Sequence, residues 1–372
     1  MIIKVSKTEL VEAINQVSRV VGVNTTMDIL NGIKLTVSED KMEIFATNLD
    51  VSIKTTIEAD VIDMGEGTVV IGDGKVFEQL IKKFKKDEIA ISTEGDKITL
   101  VNGRRKSELK LRKAEDYPAS PMVIKESSFS IQGCVLKDLI KKTSFAIAEE
   151  GIKPILTGVL FDVKKGILNL VALDGFKVAH ASKKIDTKID ISVVVPGKGA
   201  NEIAKALGNE EATLTFGKNH ICVEVNAVEL TVRLLEGDFV KYSAIMPTEF
   251  ETVVEVDREE LIDAVEIAAL VGKNEDARLV KFSLTDTSIK ITANSKLGKS
   301  YEELDVDLTN GEAGLEISFN SRFVVDGLKA MNSERVKVQF NSNVSSALIV
   351  PIDENESYEY LVLPVRTKQI AK

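Results

Sequence analysis

Three stretches decide the fold: TVVIGDGKVFEQLIKKF at 68–84, SVVVPGKGANEIAKALG at 192–208 and LEISFNSRFVVDGLKAMN at 315–332. Each is a short apolar run, a turn and a segment of helical period. The apolar positions are Phe77, Leu80, Ile81 and Phe84 in the first, Ala200, Ile203, Ala204 and Leu207 in the second, and Val324, Gly327, Leu328 and Met331 in the third. All three sets follow i, i+3, i+4, i+7, the spacing of a helix with one buried face. The sets are offset by 123 and then 124 residues in a chain of 372, which is three times 124. The chain therefore reads as three copies of one unit.

The surroundings repeat as well. Each third opens on an amphipathic helix: Ser6 with Glu9 caps Leu10, Ile14, Val17 and Val21, Asp257 with Glu260 caps Leu261, Val265 and Ala268, and the middle copy runs through Leu136, Ile140 and Ile147. Between the two helices lie paired strands at 29–57, 155–185 and 278–306, where KMEIFAT and SIKITA alternate with the period of a half-buried strand. Closing strands follow at 88–112, 211–235 and 335–366. Strand runs broken by single helices predict α+β domains, with two helices packed on antiparallel sheets in each. The Pro-containing stretches AEDYPASPMVIKE (114–126) and AIMPTEFE (244–251) are the candidate linkers, giving domains at 1–122, 128–247 and 249–372.

Composition narrows the class. With 44% hydrophobic residues and seven prolines, this is an ordered chain with ample core. No run approaches 18 apolar residues and MIIKVSKTEL has no secretory pattern, so a soluble, cytoplasmic protein without membrane contact is expected. Cys134 and Cys222 sit in apolar surroundings and read as reduced core residues. The formal charge of −10 argues by itself against gripping phosphates, but it is unevenly spread. Residues 1–124 carry −2, residues 125–248 carry +1 and the last third carries −9. Lysines cluster on predicted helices of the first two thirds: Lys75, Lys82, Lys83, Lys85 and Lys86, then Lys137, Lys141 and Lys142. They either solvate helix faces or form local basic surfaces.

Catalytic signatures are missing. His180 and His220 lie in strand-like runs without metal-ligand spacing, GDGK (72–75) and GKG (197–199) lack the spacing of a phosphate loop, and Asp305, Asp307 and Asn310 do not complete a calcium loop. The paired Glu149 and Glu150 read as loop charges. Neither an enzyme nor a cofactor or metal is expected.

The ordered series ILNG (29–32), ATNLD (46–50), AEDYP (114–118), ILTGVLF (155–161), VALDGFKVA (171–179), Phe319–Asn320, NVSSALI (343–349) and YLVLPVR (360–366) resembles the bacterial DNA polymerase III beta subunit, the sliding clamp family, along essentially the whole chain. The resemblance implies a head-to-tail homodimer whose six domains close into a ring around double-stranded DNA. It implies no catalytic residue. It implies partners that insert a short linear motif into an apolar pocket: the polymerase III alpha subunit, the clamp loader and other motif-bearing proteins. The positions matching that pocket are Leu156, Leu173, Gly175, Lys177, Val178, Val240, Ile245, Val344, Ser346, Leu361, Leu363, Pro364, Val365 and Arg366. Leu173, Phe176 and Val240 depart from the commonest family pattern, as does the extension Thr367 to Lys372. Leu270 and Val271 match the family's subunit contact, with Ser107 where an aromatic residue is usual. For DNA, Lys198 matches a basic position, and Lys75, Lys82, Lys83, Arg104 and Arg105 are compositional candidates; Asn24 and Glu150 stand where the family has an arginine and a glutamine. The alternative class is a repeat-built β-rich scaffold that binds a protein or carbohydrate without DNA, although Trp is absent and aromatic residues are only 5%.

Overall fold

A computed structural model describes residues 1–22, 26–65, 67–124, 127–149, 153–271 and 278–366. Six α-helices occur among them: α1 (Lys7–Val17), α2 (Gly74–Lys83), α3 (Gly133–Ser144), α4 (Gly197–Ala206), α5 (Arg258–Val271) and α6 (Ser321–Lys329). Apart from four short 3-10 turns, the remaining regular structure among the described residues is antiparallel strand, so each third contributes two helices and a set of strands, as the repeat predicts.

Local chemistry explains the helix starts. The Ser6 hydroxyl accepts from the Glu9 N–H at 3.5 Å, Asp73 from Val76 at 2.9 Å, Asp257 from Glu260 at 2.9 Å and Asn320 from Arg322 at 3.0 Å. The stripes then decide which face is buried. Phe77, Ile81, Ala200, Ile203, Val324 and Leu328 are all within 1% of complete burial, and the large ones among them are worth about 1.5–3 kcal/mol each. The fourth position of every stripe, Phe84, Leu207 or Met331, lies just past its helix end and is still buried. Gly327 sits on a stripe for a steric reason: a Cβ there would stand 2.2 Å from the Tyr360 ring.

The chain forms two compact units, one of 1–137 with 198–234, the other of 138–197 with 235–372. The middle third is thus shared between them. In the first unit, strand Val228–Arg233 pairs with Val51–Glu58, joining the sheets of the first and middle thirds into one of 13 strands. In the second unit, strand Lys177–Lys184 pairs with Tyr358–Val362 inside a nine-stranded sheet, beside a separate four-stranded sheet. Tyr117 anchors the first linker: its buried hydroxyl donates to the Gly32 carbonyl at 3.1 Å, and burial pushes the phenol up to about 12.

Two expectations are corrected. Cys134 is exposed, because it lies about 200° round α3 from Leu136 and its neighbours' apolarity says nothing about its own face; Cys222 is buried as expected. Lys142 solvates nothing. Its side chain is 8% exposed, and its ammonium lies 2.8 Å from both Asp138 and Glu356. Lys137 caps a helix end through the Leu207 carbonyl at 3.0 Å. In α3, Leu136 and Ile140 are fully buried, while Ile147 lies beyond the helix and is half-buried.

Candidate functional site: an apolar cluster and its rim

The second unit gathers most of the expected pocket residues. Antiparallel pairing sets Val178 opposite Leu361 and Lys177 opposite Val362. That register joins Leu156, Leu173, Val178 and Leu361 in one buried cluster, with Ala148, Leu160, Val171, Val194 and Leu348. Val344 (55% exposed), Leu363 (39%), Val240 (37%) and Ile245 (43%) leave apolar surface open to solvent. Ser346, Pro364 and Val365 are half-buried and Arg366 is exposed.

Two backbone bonds fix the path of the final segment. Leu363 N–H donates to the Phe176 carbonyl at 2.8 Å, and Val365 N–H to the Ser318 carbonyl at 2.8 Å. The loop before Lys177 is equally set. The Asp174 carboxylate accepts from Phe176 N–H at 2.8 Å, Lys177 N–H at 3.0 Å and the Lys177 ammonium at 2.5 Å. Gly175 supplies the left-handed φ of 93° that this turn requires. Lys177 lies 4.4 Å from the Phe323 ring centroid, and Phe176 stacks on the same ring at 6.3 Å. A lysine buried in this way acts as a positioner of the loop.

Sequence reasoning missed the aromatic flank. Phe239, Tyr242, Met246 and Phe250 pack on the cluster, and the run FVKY at 239–242, with aromatics three apart before a linker, was the available signal. Tyr242 donates to Asp162 at 3.3 Å, and burial pushes its phenol up to about 12. Its ring lies 5.3 Å from that of His180. His180 is a structural strand residue: Nδ1 is 2.7 Å from Glu359 Oε2 and Nε2 is 3.0 Å from Asn169 Oδ1. The imidazole lowers the Glu359 carboxyl against the burial that would raise it. No group of three or more potential metal ligands occurs among the described residues.

Elsewhere in the second unit, Leu270 is 65% exposed on α5. It borders a groove of about 400 Å³ lined also by Arg278, Arg322, Val325 and Asp326. Val271 is half-buried, and its carbonyl accepts from Ser295 at 2.8 Å.

The basic candidates all lie in the first unit. Lys75 donates to the Ser18 carbonyl at 2.6 Å, Lys82 pairs with Glu78 at 2.6 Å, and Arg105 donates to the Lys83 carbonyl at 2.7 Å. Lys83, Arg104 and Lys198 are exposed. Asn24, Glu150 and Thr367 to Lys372 lie outside the described residues.

Family models of the DNA polymerase III beta subunit match in order: the N-terminal domain at 1–121, the central domain at 130–241 and the C-terminal domain at 243–366. The chain belongs to the DNA polymerase III beta subunit family. It is 31% identical to the beta sliding clamp of Halalkalibacterium halodurans, over 96% of this chain and 97% of that one. Among solved structures it is similar to the sliding clamp of Bacillus subtilis, with a TM-score of 0.94 and 28% identity over 99% of both chains. The DNA polymerase III beta subunit of Pseudomonas aeruginosa gives 0.92 and 28% over 99% of this chain and all of that one. The fold expectation holds: three clamp domains with antiparallel sheets. The scaffold alternative is not favoured by these matches, and no helix among the described residues is long and apolar enough to cross a membrane.

Proposed function

We propose that this protein is a DNA sliding clamp: a non-enzymatic, cytoplasmic processivity factor that closes as a head-to-tail homodimer around duplex DNA. In this reading it tethers the replicative polymerase, the clamp loader and other partners through a linear-motif pocket. The observation that carries the reading is the ordered match of three clamp domains along the chain. The proposed domain limits are 1–122, 128–247 and 249–372, close to those matches.

The pocket assignment is supported by chemistry. Leu156, Leu173, Val178 and Leu361 form a buried floor, and Val240, Ile245, Val344 and Leu363 offer apolar surface at the rim. Gly175 and Lys177 set the adjoining loop, while Ser346, Pro364, Val365 and Arg366 complete the edge. An apolar peptide end buried there would contribute most of the affinity, with few polar groups needed to orient it.

For DNA, we assign Lys75, Lys82, Lys83, Arg104, Arg105 and Lys198, all exposed in the first unit, as the basic positions. Loose phosphate attraction suits a ring, because encirclement prevents escape and tight contacts would oppose sliding. The charge of −10 is no obstacle to that mechanism. Leu270 and Val271 are assigned to the subunit contact.

The direct test is particle imaging with sedimentation. A six-domain ring with a central hole and a mass twice 40.7 kDa is expected. Monodisperse monomers at micromolar concentration would refute it.

A further inference from the structure

One segment of the pocket rim is tied down by side chains alone. Residues 236–248 of the second unit carry Val240 and Ile245, and among the described residues their backbone bonds are local: Ala244 N–H donates to the Lys241 carbonyl at 3.0 Å and Ile245 N–H to the Tyr242 carbonyl at 3.0 Å. Phe239, Tyr242 and Met246 pack this strap on the buried cluster. Its one side-chain hydrogen bond to the sheet among the described residues runs from Tyr242 to Asp162, a carboxylate 2% exposed that also pairs with Lys164 at 3.0 Å. Tyr242 is therefore the pin of the strap.

The pin rests on His180. The two ring centroids are 5.3 Å apart, within the reach of a cation–π contact. His180 itself faces an acceptor at each ring nitrogen, Glu359 Oε2 at 2.7 Å from Nδ1 and Asn169 Oδ1 at 3.0 Å from Nε2. The Asn169 amide is not free to turn, because its Nδ2 donates to the Asp162 carbonyl at 3.1 Å and the exchange would set oxygen against oxygen. A ring that donates from both nitrogens is an imidazolium. Its partner is an anion to match: the hydrogen bond from His180 holds the Glu359 carboxyl below its ordinary value, against the burial that would raise it.

We infer that protonated His180 is a positioning residue for the linear-motif pocket: its cation seats the Tyr242 ring, and through it the strap bearing Val240 and Ile245, so peptide affinity falls as pH rises through the histidine range. The inference rests on the pocket reading above. Loss of one ring proton removes the charge beneath Tyr242. The proton that stays belongs on Nδ1, where a carboxylate is the stronger acceptor, and the Nε2 lone pair is left against Asn169 Oδ1. The charged groups around the two rings are Glu359, Asp162 and Lys164, and histidine alone among these side-chain types ordinarily changes charge near neutrality. The Tyr242 phenol, pushed up to about 12 by burial, remains a donor throughout. A strap seated for less of the time lowers the competent fraction of the pocket, and the apparent Kd rises by the inverse of that fraction.

A pH profile of binding tests this. The full chain is titrated into a fluorescent clamp-motif peptide without histidine, followed by anisotropy from about pH 5 to about pH 8. The parent's Kd should rise roughly threefold across that range, the size of a modest cation–π contact. His180→Gln should show the weaker Kd at every pH, with no slope. Tyr242→Leu removes the same contact from the strap side while keeping apolar packing, and should also flatten the profile; it decides the matter if thermal melts show that His180→Gln has lost its fold. His220, the chain's other histidine, lies in the first unit and is untouched in both variants. A flat profile in the parent, or the parental slope in either folded variant, would overturn the inference while leaving the pocket standing. A parent that binds no peptide at any pH would overturn both.

Discussion

Leu361 lies on the final strand and Leu363 two residues on, just past its end, and the structure gives them opposite consequences. Leu361 is 5% exposed and belongs to the cluster formed with Val178 and Leu173. Leu361→Ala should therefore cost about 2–5 kcal/mol of stability, as buried Leu→Ala changes do. Leu363 is 39% exposed, and its backbone bond to Phe176 survives truncation of the side chain. The three carbons lost carry about 0.8 kcal/mol each when fully covered. With two fifths of the residue open to a ligand, about 1 kcal/mol of that is available to a bound peptide, or roughly a fivefold rise in Kd. Leu363→Asp should exceed this by adding a desolvated charge. The assay is titration of a fluorescent clamp-motif peptide, with thermal melts on the same samples. Unchanged peptide affinity in both Leu363 variants would refute the rim assignment, as would a Leu363→Ala protein destabilised as much as Leu361→Ala.

Three other outcomes are expected. Lys142→Met leaves the Glu356 carboxylate, 6% exposed, with only the Asn332 and Ser333 N–H groups, and should cost up to about 3–5 kcal/mol in denaturant unfolding; adding Glu356→Gln should recover part of it, and a fully stable single variant would contradict the pair. His180 keeps the Glu359 carboxyl below its ordinary 4.5, so their bond stabilises fully above that pH and fades as pH falls through the lowered value. His180→Asn should flatten the acid side of the stability profile, and an unchanged profile would remove the linkage. Finally, a thiol reagent should label Cys134 alone in the native protein and Cys222 only after unfolding, since burial pushes the Cys222 thiol up to about 11. Rapid labelling of both native thiols would contradict that burial.

The repeat was legible because its signals are local. Stripes such as Phe77 to Phe84 and caps such as Asp73 need only a helix period and a short side chain. The candidate cluster was legible only through family motifs, since nothing in the composition of YLVLPVR distinguishes Leu361 from Leu363. What the sequence concealed is nonlocal. His180 and Glu359 are 179 positions apart and meet only through strand register. Asp138 on its own helix is one partner of the buried Lys142, but Glu356 arrives from another element, and Cys134 shows that an apolar neighbourhood in sequence does not specify a helix face.

The most direct measurement loads the clamp onto a nicked circular duplex with a clamp loader and ATP, then follows retention before and after one double-strand cut. A ring that encircles DNA should persist on the circle and be lost rapidly from the linear product, at salt high enough to weaken phosphate contacts. Equal retention on both forms would contradict encirclement.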